Sequence, residues 1–200
     1  MPTIRPYRAD DLEALYDICL KTGDAGQDAS HLYRDPKIVG NVYAAPYGVL
    51  EPQTCWVAQD EAGVGAYIIG TRDTHRFEKR LDAEWWPRVR ESLDPDLDGA
   101  DARMAHIIRN PSKTPRRINE PYPAHLHIDC LPRMQGIGLG KRLIDTFLGA
   151  MRDAGVPAMH LGVGPRNARA VRFYERYGFH LIEQLPEPWN TMWFGISSKG

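Results

Sequence analysis

The pattern of apolar and polar positions predicts alternating strands and helices along most of the chain. Residues 3–7 predict a short strand, and a helix capped by Asp10 or Asp11 follows it. Its apolar residues recur at the spacing of one helix face, at Leu12, Leu15, Tyr16 and Cys19. Residues 55–59 and 64–71 predict two strands joined by a tight turn, and therefore a β-hairpin.

Two segments have weaker patterns. Residues 24–50 show no clear period and predict an irregular connection. Within 73–122, a charged stretch at 77–93 predicts an amphipathic helix carrying Trp85 and Trp86, and 104–108 fits a helix or a strand. Long connections in compact domains are often functional. The segment 73–122 is therefore expected to be an insertion that forms a lid or binds substrate, with a packed excursion of no direct role as the alternative.

The C-terminal part has the clearest order of elements. Strands are predicted at 124–131, 158–163, 179–184 and 191–196, and helices at 138–154 and 167–177. The β-α-β order requires the first two of these strands to be parallel, joined by a right-handed crossover. Together with the N-terminal elements, this predicts one mixed α/β (α+β) domain over 1–200. Its central sheet should have six to seven strands, with helices flanking it.

Composition and charge narrow the class of protein. The 200 residues are 42% hydrophobic and 26% charged, as in an ordinary globular domain. A net charge of −1 gives no argument for nucleic acid or a membrane surface. Three cysteines without C-x-x-C spacing indicate neither a disulfide framework nor a zinc knuckle. Acidic residues near the N-terminus stand where a signal peptide needs an apolar core, so the cytoplasm is expected. The sequence does not indicate an oligomeric state.

A glycine-rich turn joins a predicted strand to a helix. Gly136, Gly138 and Gly140 alternate with other residues, which lets the backbone approach a ligand at a positive helix N-terminus. This predicts a pyrophosphate cradle, with a tight turn as the alternative. It is not a Walker A loop, because Arg142 stands where the hydroxyl is needed, and the dinucleotide fingerprint is absent too.

The surrounding charge agrees with an anionic ligand. Between residues 133 and 180, eight basic side chains face only three acids, Asp145, Asp153 and Glu175. Such a local excess favours a polyanion at the glycine loop. The alternative is a solvated helix face.

The strand at 124–131 alternates in polarity. One face carries His125, His127 and Asp129, and the other carries Leu126, Ile128 and Cys130. A polar face inside a small core predicts a substrate cleft, with hydrogen-bonded structural histidines as the alternative. His-x-His-x-Asp also begins like a metallo-hydrolase ligand run, but Cys130 takes the place of the last histidine. No metal is therefore expected.

Two motifs resemble a known family. Gln135-x-x-Gly138-x-Gly140, and the run from Asn167 through Phe173-Tyr174 to Gly178-Phe179, are similar to the two signatures of the GNAT superfamily of N-acetyltransferases. More narrowly, residues 122–132 with the tryptophan pair resemble the acetyltransferase-like domain at the C-terminus of O-GlcNAc hydrolases and its standalone bacterial relatives.

The resemblance implies acetyl-coenzyme A as co-substrate and an acetyl transfer to a primary amine by direct attack. The implied pyrophosphate contacts are the backbone N–H groups of Gln135, Gly136, Ile137, Gly138, Leu139, Gly140 and Lys141. The strand backbone around Ile128 and Cys130 would pair with the pantetheine arm. Asn167 would touch that arm or order the loop near it. The acceptor, a small molecule or a protein lysine, is not identified.

The implied chemistry assigns roles to three side chains. Tyr174 lies seven residues after Asn167 and would protonate the departing thiolate, with strand N–H groups near Cys130 for the oxyanion. No glutamate base stands out. His127, which titrates near neutral pH, or Asp129, which would need a raised pKa, is the expected base. Alternation points Cys130 to the apolar face, so it is expected to be core. The alternative function is a catalytically silent coenzyme-A-binding or protein-interaction module.

Overall fold

The computed structural model of the protein describes residues 1–187 and 190–198, which form one seven-stranded mixed sheet with flanking helices. The remaining four residues of the expected 1–200 domain lie outside the described residues. The strands are β1 (Thr3–Pro6), β2 (Cys55–Asp60), β3 (Gly63–Thr71), β4 (Ala124–Cys130), β5 (Ala158–Val163), β6 (His180–Gln184) and β7 (Met192–Ser197). Their order across the sheet is β1-β2-β3-β4-β5-β7-β6.

The helices fill the connections between the strands. They are α1 (Leu12–Thr22), α2 (Ile38–Tyr43), α3 (Ala45–Leu50), α4 (Thr74–Arg80), α5 (Trp86–Glu91), α6 (Gly99–Arg109), α7 (Arg116–Asn119), α8 (Leu139–Asp153) and α9 (Ala168–Tyr177). A π-helical turn, Leu81–Trp85, joins α4 to α5. The predicted fold class, a mixed sheet with flanking helices, is confirmed.

Strand pairing follows the predicted order. β2 and β3 form the expected antiparallel hairpin, and β4 runs parallel to β5. Successive side chains of β3 point to opposite faces of the sheet and are buried on both. Tyr67 and Ile69 pack in a core with α1, and Ala66 and Ile68 pack in a second core with α8. The sheet is therefore buried on both sides around β3.

The prediction that 24–50 is irregular was wrong, because α2 and α3 lie there. Each has six residues, too few to show a helical period. Pro46 lies in the first turn of α3, where a missing N–H costs nothing. Burial of Ile38, Val39 and Tyr47 against α1 and the sheet stabilises both helices.

The segment 73–122 is helical and packed. The predicted helix at 77–93 forms within α4, the π-helical turn and α5, and 104–108 belongs to helix α6. Phe77, Trp85 and Ile108 are 1%, 5% and 0% exposed in the core that also contains α1. No described helix is long and apolar enough to cross a membrane.

Candidate active site

A cleft opens in the middle of the sheet where two parallel strands separate. β4 and β5 pair only at Ala124–Met159 and His125–His160. Beyond these pairs the strands diverge, and among the described residues the edge of β4 that faces β5 has no strand partner from Leu126 onward. The resulting cleft has a volume of about 410 Å³. An extended ligand chain can add to such an edge through main-chain hydrogen bonds.

Four pieces of the chain line this cleft. They are the end of α1 with its following loop (22–26), β4 (126–129), the end of β5 with its loop (161–164, 166 and 167), and Ala170 and Tyr174 of α9. The sequence predicted the strand and helix walls. It missed the 22–26 wall, because nothing local in Thr22-Gly-Asp-Ala-Gly26 indicates what it packs against.

Glycine is favoured at three positions around the start of α8, but not for the same structural reason. Gly136 and Gly138 have φ of +76° and +75°, and a Cβ at either would meet nothing within 4 Å. Their positive φ favours glycine and leaves the backbone open to a ligand. Gly140 is helical, and its Cβ would lie 3.1 Å from Cζ of Phe173. Glycine at 140 therefore lets α8 approach α9, and the contact of its N–H with a pyrophosphate stays a prediction.

The loop is tied to the sheet and to α9. Gln135 Nε2 donates to the Cys130 carbonyl at 2.7 Å, and Arg169 donates to Gln135 Oε1. The first N–H groups of α8 have no partner within the helix, as at every helix N-terminus. A fixed loop followed by a helix of 15 residues can bind an anion at these N–H groups.

Helix α9 presents three residues to the cleft at helical spacing. Asn167, Ala170 and Tyr174 all line it. Asn167 Oδ1 accepts from Ala170 N at 3.1 Å, so its side chain caps the helix and orders the loop. Tyr174 is 8% exposed and packs on Phe179 and Phe194.

Comparison with known proteins identifies this arrangement. The sequence pattern of the acetyltransferase (GNAT) family matches residues 102–179. The crystal structure of SsHAT is 40% identical, covers 100% of this chain and 99% of its own, and superposes with a TM-score of 0.89. The chain belongs to the GNAT family. Acyl-CoA-dependent N-acetyl transfer with acetyl-coenzyme A as co-substrate is the chemistry of that family, as expected from the two motifs.

Further relatives are one solved structure that shares the fold and two proteins of similar sequence. The structure of yncA from Salmonella typhimurium with its cofactor acetyl-CoA is 15% identical and has a TM-score of 0.58, covering 99% of this chain and 94% of its own. Protein O-GlcNAcase of Rattus norvegicus is 24% identical over 92% of this chain, which spans 20% of that protein. Mycothiol acetyltransferase of Nocardiopsis dassonvillei is 27% identical over 72% of this chain and 44% of its own length.

In this GNAT domain, alternate side chains of β4 lie on opposite sides of the sheet, as the sequence predicts. Leu126, Ile128 and Cys130 pack with α8, while His127 and Asp129 face the α1 side. Burial raises the pKa of the Cys130 thiol to about 12, so it stays protonated and is a poor nucleophile. His125 does not line the cleft, although the sequence places it on the same face.

The titration order of the two candidate bases is the reverse of the expected one. Burial raises the pKa of Asp129 to about 6, although the Tyr67 hydroxyl donates to its Oδ2 at 2.6 Å. Burial, followed by the neighbouring His160, lowers the pKa of His127 to about 4. The expectation that His127 titrates near neutral pH is therefore wrong. At pH 7 His127 is neutral and Asp129 is ionised.

Tyr174 keeps its proton. Burial, then the nearby Asp129 and Cys130, raises its pKa well above the usual range. Among the described residues no group hydrogen-bonds its hydroxyl, which leaves the proton available to a ligand in the cleft.

Several of the basic side chains are already engaged. Arg133 binds the Gly63 and Val64 carbonyls and Asp60, on the β2–β3 hairpin. Lys141 pairs with Asp145 at 2.8 Å, and Arg166 pairs with Asp24 at 3.3 Å across the cleft wall. These exposed pairs are weak and open at little cost.

The 73–122 segment and the metal-ligating residue types were both considered as parts of a functional site. No residue of 73–122 lines the cleft, the buried side chains of this segment pack in the core that contains α1, and a lid or substrate role stays a prediction. Within residues 1–187 and 190–198, no group of three His, Cys, Asp or Glu side chains is placed to hold a metal ion.

Proposed function

We propose that this protein transfers the acetyl group of acetyl-coenzyme A to a primary amine by direct attack in the β4–β5 cleft. The observation that carries the proposal is the divergence of β4 from β5 directly after His125–His160. It provides a free strand edge for the pantetheine arm at Leu126–Cys130. The glycine loop lies at the end of the same strand and would hold the pyrophosphate through its N–H groups, from Gln135 or Gly136 to Lys141.

The side chains at the cleft can then move the protons. As the amine nitrogen bonds to the acetyl carbon, its proton passes to the polar face of β4, where His127 and Asp129 border the cleft. The C–S bond breaks with its electron pair on sulfur, and the Tyr174 hydroxyl supplies the proton that makes the free thiol. Water relays the amine proton from the polar face of β4 to Tyr174, so both groups return to their starting protonation states. Backbone N–H groups near Cys130 would stabilise the oxyanion.

Asp129 has a second use that follows from its ionisation. A carboxylate that is charged above about pH 6 attracts a cationic amine to the cleft. Its contact with Tyr67 holds it in place. The proposed acceptor is a small amine or a protein lysine. The cytoplasm is the proposed compartment, supported by three cysteines that form no disulfide.

Two measurements on one preparation test the proposal. Acetyl-coenzyme A should raise the melting temperature, and an amine panel should then release free thiol and give a product heavier by one acetyl group. Stabilisation without thiol release for any amine or lysine peptide would instead indicate a silent coenzyme-A-binding module. No stabilisation would contradict the cleft assignment itself.

A further inference from the structure

A chain of buried and half-buried polar side chains runs from the backbone near β4 to the cleft. We call Thr74, His125 and Tyr47 the relay chain. Thr74 Oγ1 lies 2.8 Å from the Pro123 carbonyl and 2.8 Å from His125 Nδ1. Tyr47 Oη lies 2.7 Å from His125 Nε2 and 3.0 Å from His127 Nε2. The chain therefore ends on His127, which lines the cleft.

The direction of the hydrogen bonds follows from counting protons. The Pro123 carbonyl only accepts, so the Thr74 hydroxyl donates to it. Thr74 Oγ1 then accepts from His125 Nδ1–H. Neutral His125 carries its proton on Nδ1, so its Nε2 accepts from the Tyr47 hydroxyl. Tyr47 Oη in turn accepts from His127 Nε2–H, and all four contacts are satisfied.

The opposite direction loses a hydrogen bond. If Thr74 donated to His125 Nδ1, the Thr74 and Pro123 oxygens would face each other at 2.8 Å without a proton between them. Thr74 is 0% exposed, so water cannot rescue that contact. A doubly protonated His125 is excluded by burial, which lowers its pKa well below the usual range. One arrangement of protons therefore remains.

We infer that the relay chain fixes the tautomer of His127 with the proton on Nε2 and the lone pair on Nδ1. That lone pair is then the acceptor of the amine proton, which makes His127 the base of the reaction. This inference rests on the proposed function for the identity of the reaction. Thr74, His125 and Tyr47 are positioning residues, because they act through His127.

The surroundings of His127 keep it neutral. The titratable groups around it are His125 and Asp129 on its own strand, His160 on β5, Tyr43 on α2 and Tyr47 on α3. The only charge among them at pH 7 is that of Asp129, whose Oδ2 accepts from Tyr67. Among the described residues none hydrogen-bonds Nδ1 of His127, so this nitrogen is left for the amine or a bridging water.

Long-range ¹H–¹⁵N NMR of the histidine-labelled protein tests the tautomer without any substrate. His127 should carry its proton on Nε2 and His125 on Nδ1, with His127→Gln identifying the signals. Tyr47→Phe should abolish the single tautomer of His127, whereas Tyr43→Phe, whose ring also approaches His127, should not. A wild-type His127 proton on Nδ1 would overturn the inference, even if Tyr47→Phe failed to fold.

Kinetics supply the second readout. His127→Gln keeps an N–H toward Tyr47 but removes the base, and should lower kcat about 100-fold with unchanged affinity for acetyl-coenzyme A. Tyr47→Phe should lower kcat about tenfold, with no change in that affinity. Unchanged kcat in His127→Gln would overturn the role of His127. Absence of turnover in the wild type would instead count against the proposed function. The NMR measurement would still test the His127 tautomer, because it needs no substrate.

Discussion

The two sides of the cleft are built in different ways. On the coenzyme side, Asn167, Ala170 and Tyr174 line the cleft, and the 135–141 loop lies outside that lining, where its backbone N–H groups are proposed to bind the pyrophosphate. On the acceptor side, the polar face of β4 meets side chains from α1, α3, β3 and α4. The coenzyme side can serve any acetyl-coenzyme A reaction, whereas the acceptor side decides where the amine proton goes.

The largest expected effect is the loss of turnover when the Tyr174 hydroxyl is removed. Tyr174→Phe should keep the fold and the affinity for acetyl-coenzyme A, and lower kcat and kcat/KM equally by about 100-fold, because the acid acts only in the transition state. Tyr177→Phe is the matched control, since its hydroxyl binds Asp145 outside the cleft. Full activity of Tyr174→Phe at saturating coenzyme would leave Tyr174 as packing alone.

The next effect belongs to the coenzyme side. Gly138→Asp places a charge and a Cβ on an open, positive-φ backbone, and should weaken acetyl-coenzyme A binding by about 2 kcal/mol, or about 30-fold. Gly155→Asp is the control, because Gly155 also has a positive φ (+73°) and open space. Both variants share the backbone strain, so titration calorimetry should find weaker binding only for Gly138→Asp. Equal affinities would move the pyrophosphate elsewhere.

This contrast also explains what the sequence could predict. The coenzyme side is local, so the α9 period and the Asn167–Tyr174 interval were sufficient to place these two residues at the cleft, and the role of the glycine loop stays a prediction. The acceptor side depends on contacts such as Tyr47–His127, 80 residues apart, and Tyr67–Asp129, 62 apart. No periodicity encodes such register. Burial then inverted the expected titration of His127 and Asp129, which residue type alone does not show.

A smaller effect is expected from the acceptor carboxylate. Activity should fall as the pH drops below about 6, because Asp129 takes up a proton there. Asp129→Asn keeps an acceptor for the Tyr67 hydroxyl and should lower kcat/KM about tenfold while removing this acidic limb. Asp17→Asn, at an exposed ion pair on α1, should leave the profile intact. An unchanged limb in Asp129→Asn would assign it to another group.

The smallest effect is on stability. His127 and His160 have a folded pKa of about 4, below the 6.5 of the unfolded chain, so the unfolded state binds more protons between these values. Between pH 6.5 and 4 the free energy of unfolding should therefore fall with acidification, by about 1 kcal/mol or more per histidine. Asp129, whose pKa is raised, partly offsets this. Urea unfolding at pH 7 and pH 5 checks it: His160→Gln should flatten the dependence, and exposed His31→Gln should not.

Amide hydrogen exchange with and without acetyl-coenzyme A shows where on the protein the coenzyme binds. We expect slower exchange in two segments on binding, the free edge of β4 at 126–130 and the loop at 136–141. Strand β2, on the far side of β3, should be unaffected. Protection confined to other segments, with 126–130 and 136–141 unchanged at saturating ligand, would contradict the assignment of the β4–β5 cleft as the acetyl-coenzyme A site.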